Sequence, residues 1–550
     1  MRLCTLRELD KAEGTVQLHS ESGDGHLILH PRPNTNDPND PLRWSRWRKY
    51  TCFFSVCFFA FMTNYAIGGL APAFYPLSLQ FHKSTTQTSD LLLWPILALG
   101  VFNFFWVPLA NYIGKRPVFV FSTFVLAAAY LWGALAGSFQ SLLWSNILAA
   151  FAGSASEALA ASIVNDVFFL HERANLMSWY VNASAGGNTI GPLICGFVIT
   201  HSRWRVHKWH AFALVAFNFL LVLFFVPETR YDRSFNEEDM ASDTTISQRN
   251  SSEPSAGEVK EAPEAAETQD GVNFVATDPQ KQQPLPVINA NDPAHCHHST
   301  EQIPKRTFLQ DLSIWPGLAK DINPLLLFLR PLPFICYPAV ILAFLGFAVS
   351  LAWVVCINIL NSFVLQAPPY NFSPDINGLI NIPGLIGNLI GAWIGGWCLD
   401  RYSNWQSKRH AGTFQPETRL HLLIIPALVV PAGCLVWGYG VANTLHWTAL
   451  FFAYGMVSVG LTAVPTMTMT YVSDSYLPIN ADCLTLVVGL KNVVAFGILY
   501  GVVPWVHEAG NVNVFGTQAG VYVAIMALAV PLVIWGGRVR HWSAGWRIIL

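Results

Sequence analysis

The chain has 550 residues, of which 12% are charged and 52% are hydrophobic, and its formal net charge is −2. Soluble proteins carry about 25% charged residues, so this composition excludes a soluble multidomain protein in spite of the length. The near-neutral charge also excludes the basic electrostatic footprint of a nucleic-acid-binding protein. We therefore expect an integral membrane protein.

Twelve apolar runs are long enough to cross a bilayer, whose hydrocarbon core requires about 20 apolar residues per helix. A polar, proline-containing segment, residues 1–50, precedes the first run, which is too long for a cleaved signal peptide. Six runs lie in the first half of the chain, at 51–72, 91–112, 118–138, 143–165, 176–200 and 209–227. Six more lie at 334–358, 375–398, 421–440, 446–472, 483–506 and 518–537. Numbered as spans 1 to 12, they predict an all-α integral membrane fold with two six-helix halves.

The stretch between the two sets of spans, residues 228–333, differs from both in composition. It contains the run SDTTISQRNSSEPSAGEVKEAPEAAETQD, which is rich in Ser, Pro and Glu and too polar to bury a core. The sequence therefore predicts a largely disordered linker between an N-terminal half at 51–227 and a C-terminal half at 334–538. A short tail, residues 539–550, follows the last span.

Lys and Arg concentrate on the side of the predicted bundle that carries both termini, and such an excess marks the cytoplasmic side. The residues on that side are Arg43, Arg46, Arg48, Lys49, Lys115, Arg116, Arg173, Arg230, Arg233, Arg401, Lys408, Arg409, Arg419, Arg538 and Arg540. The opposite side carries Lys83 and a cluster between spans 5 and 6, made of Arg203, Arg205 and Lys208. We expect cytoplasmic termini, a cytoplasmic linker and a location in the plasma membrane.

Two loops, one in each half, carry related sequences. PLANYIGKRPV (108–118) joins spans 2 and 3, and GWCLDRYSNWQSKR (396–409) joins spans 8 and 9. Such an internal repeat is typical of transporters built from two related halves. The loops resemble those of the major facilitator superfamily, which have the pattern Gly-x-x-x-Asp-Arg-x-Gly-Arg-Arg. The matching positions are Gly114, Lys115 and Arg116 in the first copy and Gly396, Asp400 and Arg401 in the second.

The resemblance implies that these loops are gates that latch the two halves together. The first copy departs from the pattern at Val107, Asn111 and Tyr112, where the family has Gly, Asp and Arg. Because Asn111 offers an amide instead of a carboxylate, we expect a latch there to be hydrogen-bonded rather than ionic. The alternative is that both loops only hold Lys and Arg at the cytoplasmic face as a topology signal.

Span 5 contains GGNTIGPLICG, from Gly186 to Gly196. Ala183, Gly187 and Gly191 are spaced four residues apart, so one helix face is nearly bare and allows a close helix contact. Pro192 removes a backbone donor and bends the helix. The stretch resembles the Gly-x-x-x-Gly-Pro pattern of the proton-coupled antiporters in the superfamily, which implies export. The alternative is a close helix contact without any bearing on direction.

Five further strings narrow the resemblance. They are DPNDPLRWSRWRKY before span 1, NDVFFLHERANLMSWY after span 4, VPETRYDRSF after span 6, FQPETRL before span 9 and TYVSDSYLPINAD after span 10. Together they look like the fungal branch of twelve-span drug:proton antiporters, which implies multidrug efflux. One departure weakens the proton route that the family implies. Where members carry Arg-x-x-Gln-Gly in span 4, this chain has Asn146-Ile-Leu-Ala-Ala150.

Ionisable groups within spans are costly and mark functional sites by default. Glu157 lies in the middle of span 4 among small residues, and we expect it to take and release a proton; the alternative is a hydrogen-bonded Glu in a helix contact. Lys491, in span 11, either pairs with a carboxylate across the pathway or extends to the interface. Five charges at span ends are interpreted as loop and gate charges: Asp166, Glu172, Arg173, Asp474 and Asp482.

Polar residues within spans could complete a pocket, although each singly could equally be an interhelical hydrogen bond. The candidates are Asn64, Tyr65, Asn182, Asn188, Asn358, Asn361, Asn381, Asn388, Thr466, Thr470 and Tyr471. A cavity with a single central carboxylate and many aromatic side chains would suit a cationic or amphipathic solute. The expected partners are therefore a small-molecule substrate, protons and the lipid bilayer, with no cofactor, no metal and a monomeric chain.

The sequence thus predicts a proton-driven antiporter of small amphipathic or cationic compounds that works by alternating access. One alternative is an uptake carrier of the same fold for polyamine-like or other nitrogenous nutrients. Another is a transporter-like nutrient sensor that signals through the long linker. We expect no enzymatic activity, because the cytoplasmic segments contain no nucleophile–base pair, phosphate loop or HExxH spacing.

Overall fold

A computed structural model describes residues 16–17, 37–230, 305–311, 313, 324–410, 413–476 and 479–544. The first part of the predicted N-terminal segment, most of the predicted linker and the end of the predicted tail lie outside the described residues. Two residues, β1 (Val16–Gln17), pair antiparallel with β2 (Thr413–Phe414). Apart from this short pair, the described structure is helical.

The six predicted spans of the N-terminal half each coincide with a long helix. Serine side chains start three of them: Ser45 and Ser138 cap α1 and α4, and Ser84 forms a capping box with Gln87 at the start of α2. A short helix, Phe74–Phe81, connects the first two. The helices are α1 (Arg46–Gly68), α2 (Thr85–Ile113), α3 (Lys115–Leu135), α4 (Phe139–Val167), α5 (Arg173–His201) and α6 (Trp204–Phe225).

The C-terminal half also contains a helix for each predicted span. They are α7 (Pro338–Leu365), α8 (Asn381–Trp393, a π-helical turn at Ile394–Cys398, and Leu399–Arg409), α9 (Ile424–Ala442), α10 (Trp447–Ser475), α11 (Asn480–Tyr500) and α12 (Val502–Ala527, continued by Ala529–Ala544). Predicted span 11 extends six residues too far, because a new helix begins at Val502. That helix bends at Gly510, which has a φ of 78° that glycine tolerates without strain.

Among the described residues, ten helices are long and apolar enough to cross a membrane. The two other long helices, α1 and α5, have 23 and 29 residues and pack against each other within the bundle. A methyl group built at Gly187 of α5 would collide with the backbone carbonyl oxygen of Phe61 in α1. The fold is therefore an all-α bundle of membrane helices in two six-helix halves.

The two halves meet along helix pairs whose backbones approach closely at glycines. In the pair α2–α11, a methyl group at Gly100 would lie 2.8 Å from the carbonyl oxygen of Gly489. In the pair α5–α8, a methyl group at Gly196 would lie 2.6 Å from the carbonyl oxygen of Pro374, which begins the turn before α8. The middle of the bundle consists of α4, α7 and α10, which are buried over most of their length.

Candidate functional site

A buried ion pair joins the two halves at the centre of the bundle. The Lys491 Nζ atom on α11 lies 3.1 Å from Glu157 Oε1 on α4, and the two side chains are 4% and 3% exposed. Asn492 Nδ2 donates a hydrogen bond of 2.8 Å to the other carboxylate oxygen. Of the two positions that the sequence left open for Lys491, the structure shows the pairing with a carboxylate across the bundle.

An aromatic ring completes the surroundings of the Lys491 ammonium. Its Nζ atom lies 4.3 Å from the ring centroid of Phe347 on α7, within the range of a cation–π interaction. Sequence reasoning missed Phe347, because one Phe in an apolar span carries no signal. Asn492 was also missed, although its amide directly follows the only Lys in span 11.

A cavity of about 30 Å³ lies at this centre and is lined by both halves. A volume of this kind accommodates one or two water molecules and no drug-sized solute. Asn64 Nδ2 donates to Ser184 Oγ at 2.9 Å, and Asn188 donates to Asn64 at 3.4 Å, along one wall. The apolar lining residues are Ile67, Leu92, Ile96, Leu99, Val181, Ala185, Phe347, Leu351, Val355 and Leu461.

Two candidates of the N-terminal half, Tyr65 and Asn182, lie elsewhere. The ring of Tyr65 stacks on His207, with centroids 5.0 Å apart. Asn182 lines a second cavity of about 830 Å³ on the flank of the bundle, between α1, α5 and α8, where several aromatic rings are more than half exposed. At one end of this cavity, a hydrogen bond with His171 lowers the pKa of Glu172.

The seven candidates of the C-terminal half are buried, but none lines the central cavity. The hydroxyl of Tyr454 donates to Asn358 at 3.2 Å and lies 3.4 Å from Asn381, so these three side chains join α7, α8 and α10. The side-chain amide of Asn388 has no hydrogen-bond partner among the described residues. The other four buried candidates are Asn361, Thr466, Thr470 and Tyr471.

A second buried charge cluster lies at the end of the bundle where α1 begins and α12 ends, which we call the terminal end. Asp474, at the end of α10, accepts hydrogen bonds from Arg173 at 2.9 Å and from Arg419 at 3.1 Å. Arg419 also donates to Asp400 at 2.5 Å, and Asp400 accepts from the backbone N–H of Asn175 at 2.9 Å. Arg173 and Asn175 belong to the N-terminal half, so this terminal cluster links the halves.

The sequence placed Asp400, Arg173 and Asp474 at a gate, and the structure brings these three together. From the sequence, Arg419 was identified only as a basic residue on the cytoplasmic side. No neighbouring residue indicates that its partner is Asp474, 55 residues away. The second loop copy is packed closely against α5 as well. A methyl group at Gly396 would collide with the hydroxyl of Ser178, whereas Arg401 lies beside the ring of Trp397 at 5.9 Å.

The contacts that the structure describes for the first loop copy lie within its own half. Lys115 pairs with Asp166 and donates to Ser162 at 2.6 Å. Arg116 donates to the backbone carbonyl oxygen of Val226 at 2.8 Å. The carboxylate of Glu228, in the VPETR string, accepts from the backbone N–H groups of Lys115 and Arg116, each at 3.1 Å. It thereby stabilises the positive end of α3.

Asn111 does not form the hydrogen-bonded latch that the sequence predicts. Its side chain has no hydrogen-bond partner in the described part of the chain, and its carbonyl oxygen accepts from Arg230 at 3.2 Å. Gly114 separates α2 from α3 with a φ of 104°, a conformation that favours glycine. In the C-terminal half, Glu417 of the FQPETRL string pairs instead with Arg540 of α12, at 2.9 and 3.1 Å.

The glycines of the span-5 motif contact two different helices. Methyl groups at Gly187 and Gly191 would collide with backbone carbonyl oxygens of α1. Gly196, one turn beyond Pro192, faces Pro374 of the C-terminal half. The bare face therefore forms the close helix contact that the sequence left as one reading, and its last glycine extends that contact across the two halves.

The sequence predicted Lys208 in a loop, but the structure places it on α6. It follows Trp204, the first residue of α6, and it is fully buried. Its Nζ atom donates to Asn146 Oδ1 at 2.7 Å and lies 5.4 Å from the ring centroid of Tyr130. Asn146 begins the stretch that replaces the expected Arg-x-x-Gln-Gly run, so a lysine from α6 supplies a buried cation beside it.

The end of the bundle opposite the terminal end is also closed between the halves. Ser362 on α7 donates to the carbonyl oxygen of Ala71 at 2.7 Å, and Gln366 donates to that of Pro72 at 3.3 Å. With both ends linked and a central cavity of about 30 Å³, this is an occluded conformation.

Comparisons with known proteins agree with this architecture. The sequence profile of the Major Facilitator Superfamily matches residues 53–481. An uncharacterized MFS-type transporter of Schizosaccharomyces pombe is 23% identical, over 98% of this chain and 94% of that protein. The MFS antiporter QDR3 of Candida albicans is 24% identical, over 86% of this chain and 76% of that protein.

Among solved structures, the human organic anion transporter MFSD10 (TETRAN) has a similar fold. It superimposes with a TM-score of 0.53 and 16% sequence identity, over 88% of this chain and 99% of that one. At this level of identity the likeness concerns the fold alone.

Proposed function

The chain belongs to the Major Facilitator Superfamily and is a membrane transporter, and we propose that it exports small cationic or amphipathic compounds in exchange for protons. The observation that carries the proposal is the pair Glu157–Lys491, because it joins the two halves at the centre of an occluded bundle. A buried carboxylate in that place is a binding site for which a proton and a cationic solute compete. Competition for one group couples two fluxes in opposite directions when the carrier does not reorient without cargo.

Alternating access requires that the two ends open in turn around a fixed central site. Opening the terminal end breaks the bonds of Asp474 and Asp400 to the N-terminal half, through Arg173 and the backbone of Asn175. Opening the other end breaks the bonds from Ser362 and Gln366 to the segment after α1. In both movements the central pair must also separate, since its partners belong to opposite halves.

Two further observations support export by antiport. The span-5 motif at Gly187, Gly191 and Pro192 follows the pattern of proton-coupled antiporters in the superfamily. The relative QDR3 of Candida albicans is by name an MFS antiporter. The charge bias of the loops supports cytoplasmic termini, and the chain is proposed to act as a monomer in the plasma membrane.

The test is transport in sealed proteoliposomes with an imposed pH gradient. A panel of labelled cationic and amphipathic compounds is measured for the wild-type protein and for Glu157→Gln. We expect one or more cations to move against the proton flux in the wild type, and gradient-driven transport to be lost in Glu157→Gln. Solute that moves together with protons would identify an uptake carrier instead. Solute flux in the wild type that does not depend on the pH gradient would overturn proton coupling.

A further inference from the structure

Lys491 places a primary ammonium group beside a carboxylate and an aromatic ring. Its Nζ atom has the Glu157 carboxylate at 3.1 Å and the face of Phe347 at 4.3 Å from the ring centroid. The second carboxylate oxygen is held by Asn492 at 2.8 Å. A carboxylate oriented by an amide and an aromatic face opposite it are the groups that recognise an organic cation.

We propose that Lys491 is a tethered competitor of the solute, and that its ε-ammonium occupies the subsite that receives the head group of a primary alkylammonium substrate. This inference rests on the proposed function, since it takes the central cavity for the solute site. The side chain beyond Cα is a butylammonium group in chemical terms. The protein's own lysine therefore shows how such a group is held.

The dimensions of the site favour a primary ammonium over a bulkier one. The free volume beside the pair is about 30 Å³, which leaves no room for several methyl groups on the nitrogen. The other walls of the cavity are largely apolar and include Leu351, Val355 and Leu461. A primary ammonium with an unbranched alkyl chain fits both regions of the site, since its N–H groups bind the Glu157 carboxylate and its chain packs against the apolar walls.

Competition by a tethered lysine has a consequence for coupling. While Lys491 is paired with the carboxylate of Glu157, α4 and α11 are held together across the two halves. A solute ammonium or a proton that takes over Glu157 releases Lys491 and removes this link. The empty, deprotonated carrier is therefore held occluded, which suppresses cycling without cargo.

The first experiment measures n-butylammonium binding to purified Lys491→Ala, the variant in which the tethered group is deleted. Calorimetry should show binding at least tenfold tighter than to the wild type. 1-Butanol, which has the same chain without the charge, should show no such gain. Lys208→Ala is the matched control, because it also removes a fully buried lysine, but one that contacts the amide of Asn146 rather than a carboxylate.

Three outcomes would overturn the proposal: Lys491→Ala gains no affinity for n-butylammonium, it gains as much affinity for 1-butanol, or the double variant Glu157→Gln/Lys491→Ala binds as tightly as the single variant. If the gain is present and depends on Glu157 while proteoliposomes show no proton-driven flux, the subsite stands and the proposed antiport fails. The two claims therefore fail separately.

A second measurement needs no variant and covers the case that Lys491→Ala does not fold. Wild-type protein is treated with an amine-acylating reagent with and without n-butylammonium, and labelled lysines are quantified by mass spectrometry. We expect acylation of Lys491 to rise several-fold with n-butylammonium and not with 1-butanol. Lys208 serves as the internal control and should not change. Unaltered labelling of Lys491 would contradict its displacement.

Discussion

Two buried charge clusters join the halves of this transporter, and they use different cations. The centre contains one lysine and one carboxylate beside a cavity, whereas the terminal cluster contains two arginines, Arg173 and Arg419, that bind Asp474 from two sides. An ammonium is a compact charge on a flexible chain, but a guanidinium is planar and forms several fixed hydrogen bonds. The difference indicates an exchangeable contact at the centre and a stronger lock at the terminal end, which breaks when that end opens.

The largest effect on stability is expected when the lock loses its shared carboxylate. Asp474→Asn leaves two buried guanidinium groups with one remaining carboxylate between them, and removal of one partner of a buried ion pair costs about 3–5 kcal/mol. Denaturant unfolding in detergent measures the change. Asp311→Asn is the control, since its pair with Arg48 is more accessible and a surface pair contributes about 0–1 kcal/mol. Equal losses in the two variants would show that the terminal cluster is no lock.

The closure of the opposite end should depend on packing rather than on charge. Gly196→Ala forces a methyl group to within 2.6 Å of the carbonyl oxygen of Pro374, and overpacking of this kind costs about 1–3 kcal/mol. Gly186→Ala is the matched control on the same helix, because its methyl group would meet only ring atoms of Phe61 at 3.7 Å. Thermal unfolding of both variants checks the expectation, which fails if Gly196→Ala is as stable as Gly186→Ala.

Lys491→Arg should convert the centre into a contact of the terminal type. A guanidinium pairs with a carboxylate through two hydrogen bonds and resists displacement by a solute or a proton. We expect solute flux to fall by about tenfold, which corresponds to about 1.4 kcal/mol, while the melting temperature is retained. Flux in proteoliposomes at wild-type level would show that the type of cation at the centre is immaterial.

The smallest effect is expected at the first loop copy. Asn111→Asp restores the carboxylate of the family pattern at a partly exposed position near Arg230. A surface pair of this kind contributes about 0–1 kcal/mol, and no partner from the other half lies within hydrogen-bonding distance of Asn111 in the described residues. Unfolding measurements should therefore show a change below about 1 kcal/mol. A larger stabilisation would indicate a latch at this copy that the occluded conformation does not form.

The helices of both halves were predictable because a bilayer imposes one length and one composition on every span. The boundary between α11 and α12 was less predictable, since Val502 starts a new helix within a continuous apolar run. Lys208 was misplaced because a basic residue near a span boundary resembles a loop charge, whereas its burial depends on Asn146 of another helix.

The ionic residues of the site could be selected from the sequence, but their partners could not. Glu157 and Lys491 stand out as charges within spans, whereas their pairing depends on how α4 and α11 are brought together across 334 residues. Arg419 acquires its role from Asp474 and Asp400 in the folded chain. Phe347 is one of 37 phenylalanines, and only the position of its ring beside an ammonium distinguishes it.

The central claim is that a proton and a cationic solute compete for the carboxylate of Glu157. The most direct measurement is the dissociation constant of a transported cation as a function of pH, for purified wild-type protein and Glu157→Gln. Proton–solute linkage at one group predicts that the affinity of the wild type weakens about tenfold for each unit by which the pH falls, once the carboxylate is protonated. The affinity of Glu157→Gln is expected to be weak and independent of pH. The same pH dependence in both proteins would contradict the account.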